Sequence, residues 1–568
     1  MMTQNKKQTF IYSLIFLGIF AAMLPVILSN NYLRQDDLMW EIWPGMKMSQ
    51  FGFLYYNTVF QLVRPLCMLS FFTTDLISIT IHNAVYIRLF SVILLGIMGI
   101  MLYRWQLLFN PNKILAATFA ICAFTLPPYQ IFAATGNYFL IITALFLTFG
   151  AVFYWFYAFT EKNATTKKRY FFIGCALFFA SLLEYPLSSM YAFTLFAIFY
   201  LNALAFNHVY HEKRKFLYFG TLATIGMMVF YYLFIRIFHK IFHVDLSYGR
   251  PAVVDTSHLF TRLMRIFDVL SWHSNMWLWD NTSSWKDSFI LPLFGIFTFA
   301  LLITTIKRGL QDLSRISKTI LQSLIVIFSL FFLAYSPVMA SPDLQITFRY
   351  AIATMPLLLY VLFWSIYQIT HFINNPLLAK AGKTICALLF LCTTVFGIGY
   401  ANLMLADGVV GPHEHDYAYI QQQLTDKVIP LLKQNKKVTL HAIDCDNGNS
   451  YHYAANVPTA FEYGMRICSY QQQIIGVVIH SLRRMGYASN YNRHNHVIYN
   501  DNEIIVQDTP WGNLIVNNTN DPHVEHVMNA QNSSASTLVT IDTKNAPTYQ
   551  HFEFYKKLYQ KISNFNKA

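Results

Sequence analysis

Apolar residues along the chain fall into runs of about 20, the length a helix needs to cross a bilayer. Short stretches rich in Lys and Arg separate the runs. The pattern predicts about eleven membrane-spanning helices. They are Phe10–Ser29, Ala84–Tyr103, Ile114–Gln130, Tyr138–Phe159, Phe171–Tyr185, Ser188–Phe206, Phe216–Phe238, Phe289–Ile306, Ile320–Met339, Tyr350–Ile369 and Cys386–Leu405. The first run follows Lys6 and Lys7, is longer than a signal-peptide core and lacks a small-residue cleavage site, so it reads as a span.

Charge gives the spans a direction. With the N-terminus in the cytoplasm, the inner loops carry Lys162, Lys167, Lys168 and Arg169, then Lys213, Arg214 and Lys215. Lys307, Arg308, Arg315 and Lys318 follow, and Lys380 with Lys383 completes the set. Basic residues beside spans mark the cytoplasmic side. An odd number of spans puts the C-terminus outside. There the pattern shifts to a mixture of periods. Asp416–Lys433 and Tyr470–Met485 read as amphipathic helices, and Lys437–Ile443, His496–Val506 and Thr537–Ile541 as strands. Tyr549–Ile562 reads as a closing helix and Asn513–Ser536 as a loose loop rich in Asn and Ser.

The expected architecture is a polytopic α-helical membrane protein over 1–405 with a C-terminal extracytoplasmic α/β domain over 406–568. Two long outer segments, near 30–83 and 239–288, interrupt the spans. Composition supports the membrane class. Of 568 residues 55% are hydrophobic and 12% charged, where soluble domains carry about 25% charged residues. The net charge of +13 lies mostly in the short loops. It therefore concerns orientation in the membrane, and no nucleic-acid-binding motif accompanies it. The segregation of polar loops points to a multi-pass membrane protein with an extracytoplasmic tail. Cys445 and Cys468 share the outer domain, and an oxidising compartment would let them pair as a disulfide.

Candidate chemistry concentrates on the outer face. Asp36 and Asp37 stand directly after the first span, at headgroup level. Adjacent carboxylates repel, which suits one of them to acid–base work, and the pair could also bind a divalent ion. The competing reading is a solvated turn with Trp40 and Trp43 in the aromatic belt, and composition alone favours it. Glu184 and Tyr185 close the fifth span; a carboxylate so near the hydrocarbon is costly and marks a functional candidate. Arg64, Arg250 and Arg349 all fall outside, against the usual charge bias, and suit a phosphate group or simply snorkel to the interface. Arg88 stands near the start of the second span. Trp272 and His273, near Trp277 and Trp279, offer ring faces and a hydrogen-bonding group of the kind that sugars meet. His413, Glu414, His415 and Asp416 lack metal-ligand spacing, so no metal site is expected there. Glycosylation sequons occur at Asn281, Asn517 and Asn532, and no Walker loop, dinucleotide fingerprint or nucleophile elbow is present.

A first span, an Asp36-Asp37 pair opening a long outer loop, and Arg64-Pro65 before the next span resemble the GT-C-type integral membrane glycosyltransferases. The resemblance is nearest to bacterial lipid-linked glucosyltransferases that modify O-antigen and similar surface polymers. It covers the membrane region of about 400 residues and not the tail. It implies a polyprenyl-phosphate-linked sugar as donor, a glycan or glycolipid acceptor, and transfer with inversion. Asp37 or Asp36 would serve as the base, and the arginines would hold the phosphate of the donor. Envelope-assembly proteins are conceivable partners. Two alternatives stay open: a transporter or flippase of a lipid-linked saccharide, and a non-catalytic membrane assembly protein that binds a partner through the tail.

Overall fold

The computed structural model describes residues 4–28, 59–60, 62–70, 84–108, 113–134, 139–205, 210–244, 290–307, 312–339 and 351–372, isolated positions between 377 and 395, and then 411–443, 471–487, 497–499, 503–509, 512–517 and 537–541. These residues divide into two compact units, one made of the helices up to position 372 and the other of the elements from 411 onward.

The first unit is helical. Its elements are α1 (Gln4–Leu28), α2 (Ala84–Leu107), α3 (Lys113–Phe124), α4 (Pro127–Ala134), α5 (Phe139–Thr160) and α6 (Ala164–Glu184). There follow α7 (Pro186–Ser189), α8 (Tyr191–Ala205), α9 (Tyr210–Ile241), α10 (Ile290–Lys307), α11 (Leu313–Met339) and α12 (Thr354–Phe372). Among the described residues seven helical stretches are long and apolar enough to cross a membrane: α2, α5, the pair α7–α8, α9, α10, α11 and α12. This is a polytopic helical membrane architecture. The apolar part of α1, Gln8–Leu24, falls just short of that length. α6 stands apart because Lys167, Lys168 and Arg169 occupy its early turns and Glu184 its end. The eleventh expected span, Cys386–Leu405, lies almost wholly outside the described residues.

The expected span Ile114–Gln130 is two helices instead of one. Pro127 and Pro128 lack N–H groups, so α3 stops at Phe124 and a new helix starts at Pro127. The buried break stays satisfied because Gln130 Nε2 donates to the Thr125 carbonyl at 2.8 Å. The connection from α5 to α6 is equally local. Asn163 caps α6, its Oδ1 accepting from Thr165 N at 2.9 Å and Thr166 N at 3.3 Å.

α8 forms the centre of the unit, with every residue from Tyr191 to Leu204 buried. Trp105 of α2 donates its Nε1–H to the Leu195 carbonyl at 3.1 Å. Around that indole pack Phe153, Phe156, Phe199 and Phe216, from three further helices. α5 and α6 pack most closely at Gly174. A Cβ there would stand 2.5 Å from Trp155 Cδ1 and 3.1 Å from the Ala151 carbonyl, so only glycine admits this approach.

The second unit starts with α13 (Gly411–Gln423), which continues through a π turn (Leu424–Val428) into α14 (Ile429–Lys433). The π turn falls directly before Pro430, whose missing N–H interrupts the regular ladder. Asn435, at φ 55°, ends the helix in the left-handed conformation that Asn tolerates. Then come β1 (Val438–Ile443), α15 (Gln471–Arg484), β2 (Val497–Tyr499), β3 (Glu503–Thr509), β4 (Gly512–Asn517) and β5 (Thr537–Ile541). The sheet order is β2-β3-β4-β1-β5. β1 pairs parallel with both β4 and β5, while β2, β3 and β4 run antiparallel. α15 buries Ile474, Val478 and Leu482 against Leu440, Leu514 and Ile541.

Two readings of the tail need correction. His496–Val506 is not one strand but parts of two, with Val497 opposite Val506. The stretch expected as a loose loop from Asn513 begins inside β4, the central strand of the five. Only three apolar residues, Leu514 to Val516, signal that strand, and the asparagines around them mask it.

Candidate functional site

Polar side chains meet at one end of the first unit, and local sequence explains how. Pro186 has no N–H and disfavours helical backbone at the residue before it. α6 therefore ends at Glu184, Tyr185 turns extended (φ −153°, ψ 98°), and α7 starts afresh. This leaves Glu184, 4% exposed, between the first turn of α5 and the short helix at 65–70. Its Oε1 accepts hydrogen bonds from Thr143 Oγ1 at 3.1 Å and from Ser70 Oγ. Oε2 has no donor among the described residues.

The chain enters the 65–70 helix through Val63, buried and at φ 51°. A β-branched residue in the left-handed region costs about 1–3 kcal/mol, and such strain collects at functional sites. The next residue is Arg64, which Pro65 biases toward extended backbone. The Arg64 guanidinium lies over the Tyr185 ring, 5.4 Å from its centroid. The phenol of Tyr231, from α9, sits close to the same cation. Arg64 Nε is buried without an acceptor, and no ion pair joins Arg64 to Glu184 among the described residues. Cys67, buried in the 65–70 helix, feels the charge of both.

Neighbouring contacts stiffen this end. Ser181, one turn before Glu184, bonds Thr148 Oγ1 at 2.8 Å and Ser189 Oγ at 2.6 Å and donates to the Ala144 carbonyl. Ser188 Oγ donates to the Ile141 carbonyl at 2.9 Å. Hydroxyls thus rivet α5, α6 and α7 around the Tyr185 turn. Phe90 packs at a tilt against Phe139 with ring centroids 5.3 Å apart, which brings the start of α2, with the buried Arg88, to the start of α5. Phe60 packs on Phe238 and Phe242 at the end of α9.

Of the residues singled out in the sequence, Arg64, Glu184 and Tyr185 come together here. Asp36, Asp37, Arg250, Arg349, Trp272, His273, Cys445 and Cys468 lie outside the described residues. Ser70, Thr143 and Tyr231 went unrecognised in the linear sequence. Each is an ordinary hydroxyl-bearing residue in an apolar stretch, and only its fold neighbours single it out. No group of three His, Cys, Asp or Glu gathers as a metal site among the described residues.

Chemically, the arrangement offers an arginine with an unused donor, fixed over a ring, beside a carboxylate with one oxygen already engaged. A buried donor left without an acceptor costs about 1–3 kcal/mol. A bound ligand that brings an acceptor oxygen to Arg64 recovers that cost. No protein-family model, no curated protein and no solved structure matches this chain.

Proposed function

We propose that the protein is an integral membrane glycosyltransferase. It moves a sugar from a polyprenyl-phosphate donor to a hydroxyl of an extracytoplasmic glycan or glycolipid. The observation that carries this reading is Arg64, whose buried Nε lacks an acceptor among the described residues while its guanidinium is held over Tyr185, the residue after Glu184. A phosphate oxygen is the acceptor such a rigid, charged fork fits best.

In the proposed reaction the acceptor hydroxyl oxygen attacks the anomeric carbon. The bond from that carbon to the phosphate oxygen breaks, and polyprenyl phosphate leaves with the electron pair. Arg64 neutralises the charge that develops on the leaving phosphate. Asp37, or its neighbour Asp36, takes the proton of the attacking hydroxyl. Glu184, with Oε1 engaged by Ser70 and Thr143, presents Oε2 to a sugar hydroxyl. Arg250 and Arg349 add cations for the donor, and Tyr185, Trp272 and His273 contact sugar. In this reading the N-terminus is cytoplasmic, the tail is extracytoplasmic, and the protein resides in the plasma (inner) membrane.

Glycan mass spectrometry on cells with and without the chain tests the proposal. A product lighter by one sugar in the deletion, and in Arg64→Gln or Asp37→Asn, supports it. Unchanged mass in the deletion sinks it. One observation favours a second reading, transport of a lipid-linked saccharide: broken helices at 125–126 and at Tyr185 resemble the discontinuous helices of transporters. Movement of labelled lipid without covalent change would put that reading first.

A further inference from the structure

The stretch of chain that carries Arg64 is held at three points. Phe60 packs on Phe238 and Phe242 at the end of α9, with ring centroids 5.7 and 5.6 Å away. Arg64 lies over the Tyr185 ring, and the Tyr231 phenol of α9 sits beside it. Ser70 Oγ donates to Glu184 Oε1. Glu184 and Tyr185 are consecutive, so both ends of 64–70 rest on one turn of chain, the turn that Pro186 imposes between α6 and α7.

The three contacts differ in kind. A ring face attracts its neighbour over a broad range of offsets, so the contacts of Phe60 and Arg64 tolerate sliding. A hydrogen bond to a carboxylate is directional and roughly twice as strong as a neutral one. Its acceptor is also fixed in place. Thr143 Oγ1 of α5 donates to the same oxygen at 3.1 Å, and Ser181, one turn before Glu184, is tied to α5 and α7. On the other side of the bond, the Arg64 carbonyl accepts from Met68 N at 3.4 Å, which joins the arginine to the helix on which Ser70 stands. Val63, in the left-handed region, gives that helix a strained entry, and such strain persists only where later contacts hold it. Released at Ser70, the helix would turn about Val63 and carry Arg64 off the ring.

We infer that Ser70 is a positioning residue: its bond to the Glu184 carboxylate seats the 65–70 helix and so holds Arg64 over Tyr185. The effect of Ser70 on transfer rests on the proposed function, in which Arg64 meets a phosphate oxygen; the seating of the helix does not. Glu184 thereby serves through both oxygens, Oε1 as the anchor of the arm that carries the cation and Oε2 toward a sugar hydroxyl. An anchor that runs through a neutral hydroxyl leaves the charge of Arg64 for a ligand, which a direct ion pair with Glu184 would not.

The test uses the full chain in nanodiscs and reads two quantities. The first is the rate at which N-ethylmaleimide modifies Cys67, followed by peptide mass spectrometry, with Cys122 of α3 in the same molecule as internal standard. Both thiols are buried. Ser70→Ala should raise the Cys67 rate relative to Cys122 about tenfold, the strength of one hydrogen bond to a charged group. Ser70→Thr, which keeps the hydroxyl, should bring the rate back. Glu184→Leu removes the same bond from the other side and should expose Cys67 as Ser70→Ala does, so either variant suffices if the other fails to fold. An unchanged Cys67 rate overturns the inference. The second quantity is transfer from a polyprenyl-phosphate sugar. Ser70→Ala should lower kcat/KM for the donor about 3- to 10-fold, Ser70→Thr should recover most of it, and Ser70→Ala should add nothing in the Arg64→Gln background, the mark of a residue that acts through Arg64. A full effect of Ser70→Ala in that background overturns the inference as well. Absence of transfer by the wild-type chain refutes the proposed function and leaves the seating to be decided by the Cys67 rate. Transfer with an unchanged Cys67 rate refutes the inference and leaves the function standing.

Discussion

Replacing Arg64 is the perturbation whose size follows most directly from the geometry. The guanidinium is fixed by the Tyr185 ring at 5.4 Å, and its Nε is the donor left unused. A hydrogen bond from a charged donor contributes about 1.5–3 kcal/mol. If that bond forms to the leaving phosphate, Arg64→Gln lowers kcat/KM by about 10- to 150-fold at 1.36 kcal/mol per decade. Arg64→Lys keeps the charge but has neither the Nε donor nor the planar fork, so it recovers only part of the loss. Tyr185→Leu removes the largely buried ring beneath the cation, worth about 0.5–2 kcal/mol, and should cost about 2- to 30-fold. Tyr185→Phe keeps the ring and with it the contact to the cation. The assay is transfer by the purified chain from a polyprenyl-phosphate sugar to its acceptor, with folding checked by monodispersity. If Arg64→Gln folds and transfers at the wild-type rate, the phosphate assignment is wrong, however well the arginine is placed.

Four further outcomes are expected. Glu184→Gln retains an oxygen for the Ser70 and Thr143 hydroxyls and should keep its Tm, whereas Glu184→Leu removes the acceptor that the two hydroxyls share, Thr143 keeping the Leu140 carbonyl at 3.0 Å, and should lose about 0.5–1.5 kcal/mol, read by thermal unfolding in detergent. Gly174→Leu drives a side chain into Trp155 and the Ala151 carbonyl and should destabilise by about 1–3 kcal/mol or more. Gly226→Ala, with nothing within 4 Å of its added Cβ, should not lower the Tm. In the second unit, Leu440→Ala empties a fully buried position on β1, an interior strand flanked by β4 and β5, and should cost about 2–5 kcal/mol, read by loss of protease resistance in the tail.

The local elements were largely legible because each rests on a short-range rule. A run of apolar residues between basic stretches announces α5, and the structure places it at Phe139–Thr160 against an expected Tyr138–Phe159. Thr537–Ile541 reads as a strand and is one, since four of its five residues are β-branched and favour extended backbone without help from neighbours. Even the break at Thr125 was present in Pro127-Pro128, but a run of hydrophobicity outweighed it in the reading. The strand at Gly512–Asn517 was missed because its three apolar residues resemble any loop until β1 pairs with them.

The candidate site was only half legible. Arg64, Glu184 and Tyr185 drew attention by charge and by nearness to span ends, since a charge beside hydrocarbon is costly enough to need a reason. Nothing in the chain order says that Ser70 and Thr143 both donate to Glu184 from 114 and 41 residues away. Nor does it say that Arg64 lies over the ring of Tyr185. The sequence by itself determined where most of the helices and the strands at Val438–Ile443 and Thr537–Ile541 form, because apolar periodicity and residue shape act over a few residues. Which side chains meet was decided by tertiary structure alone, because hydrogen bonds and ring contacts depend on how helices pack, and many packings suit the same apolar surface.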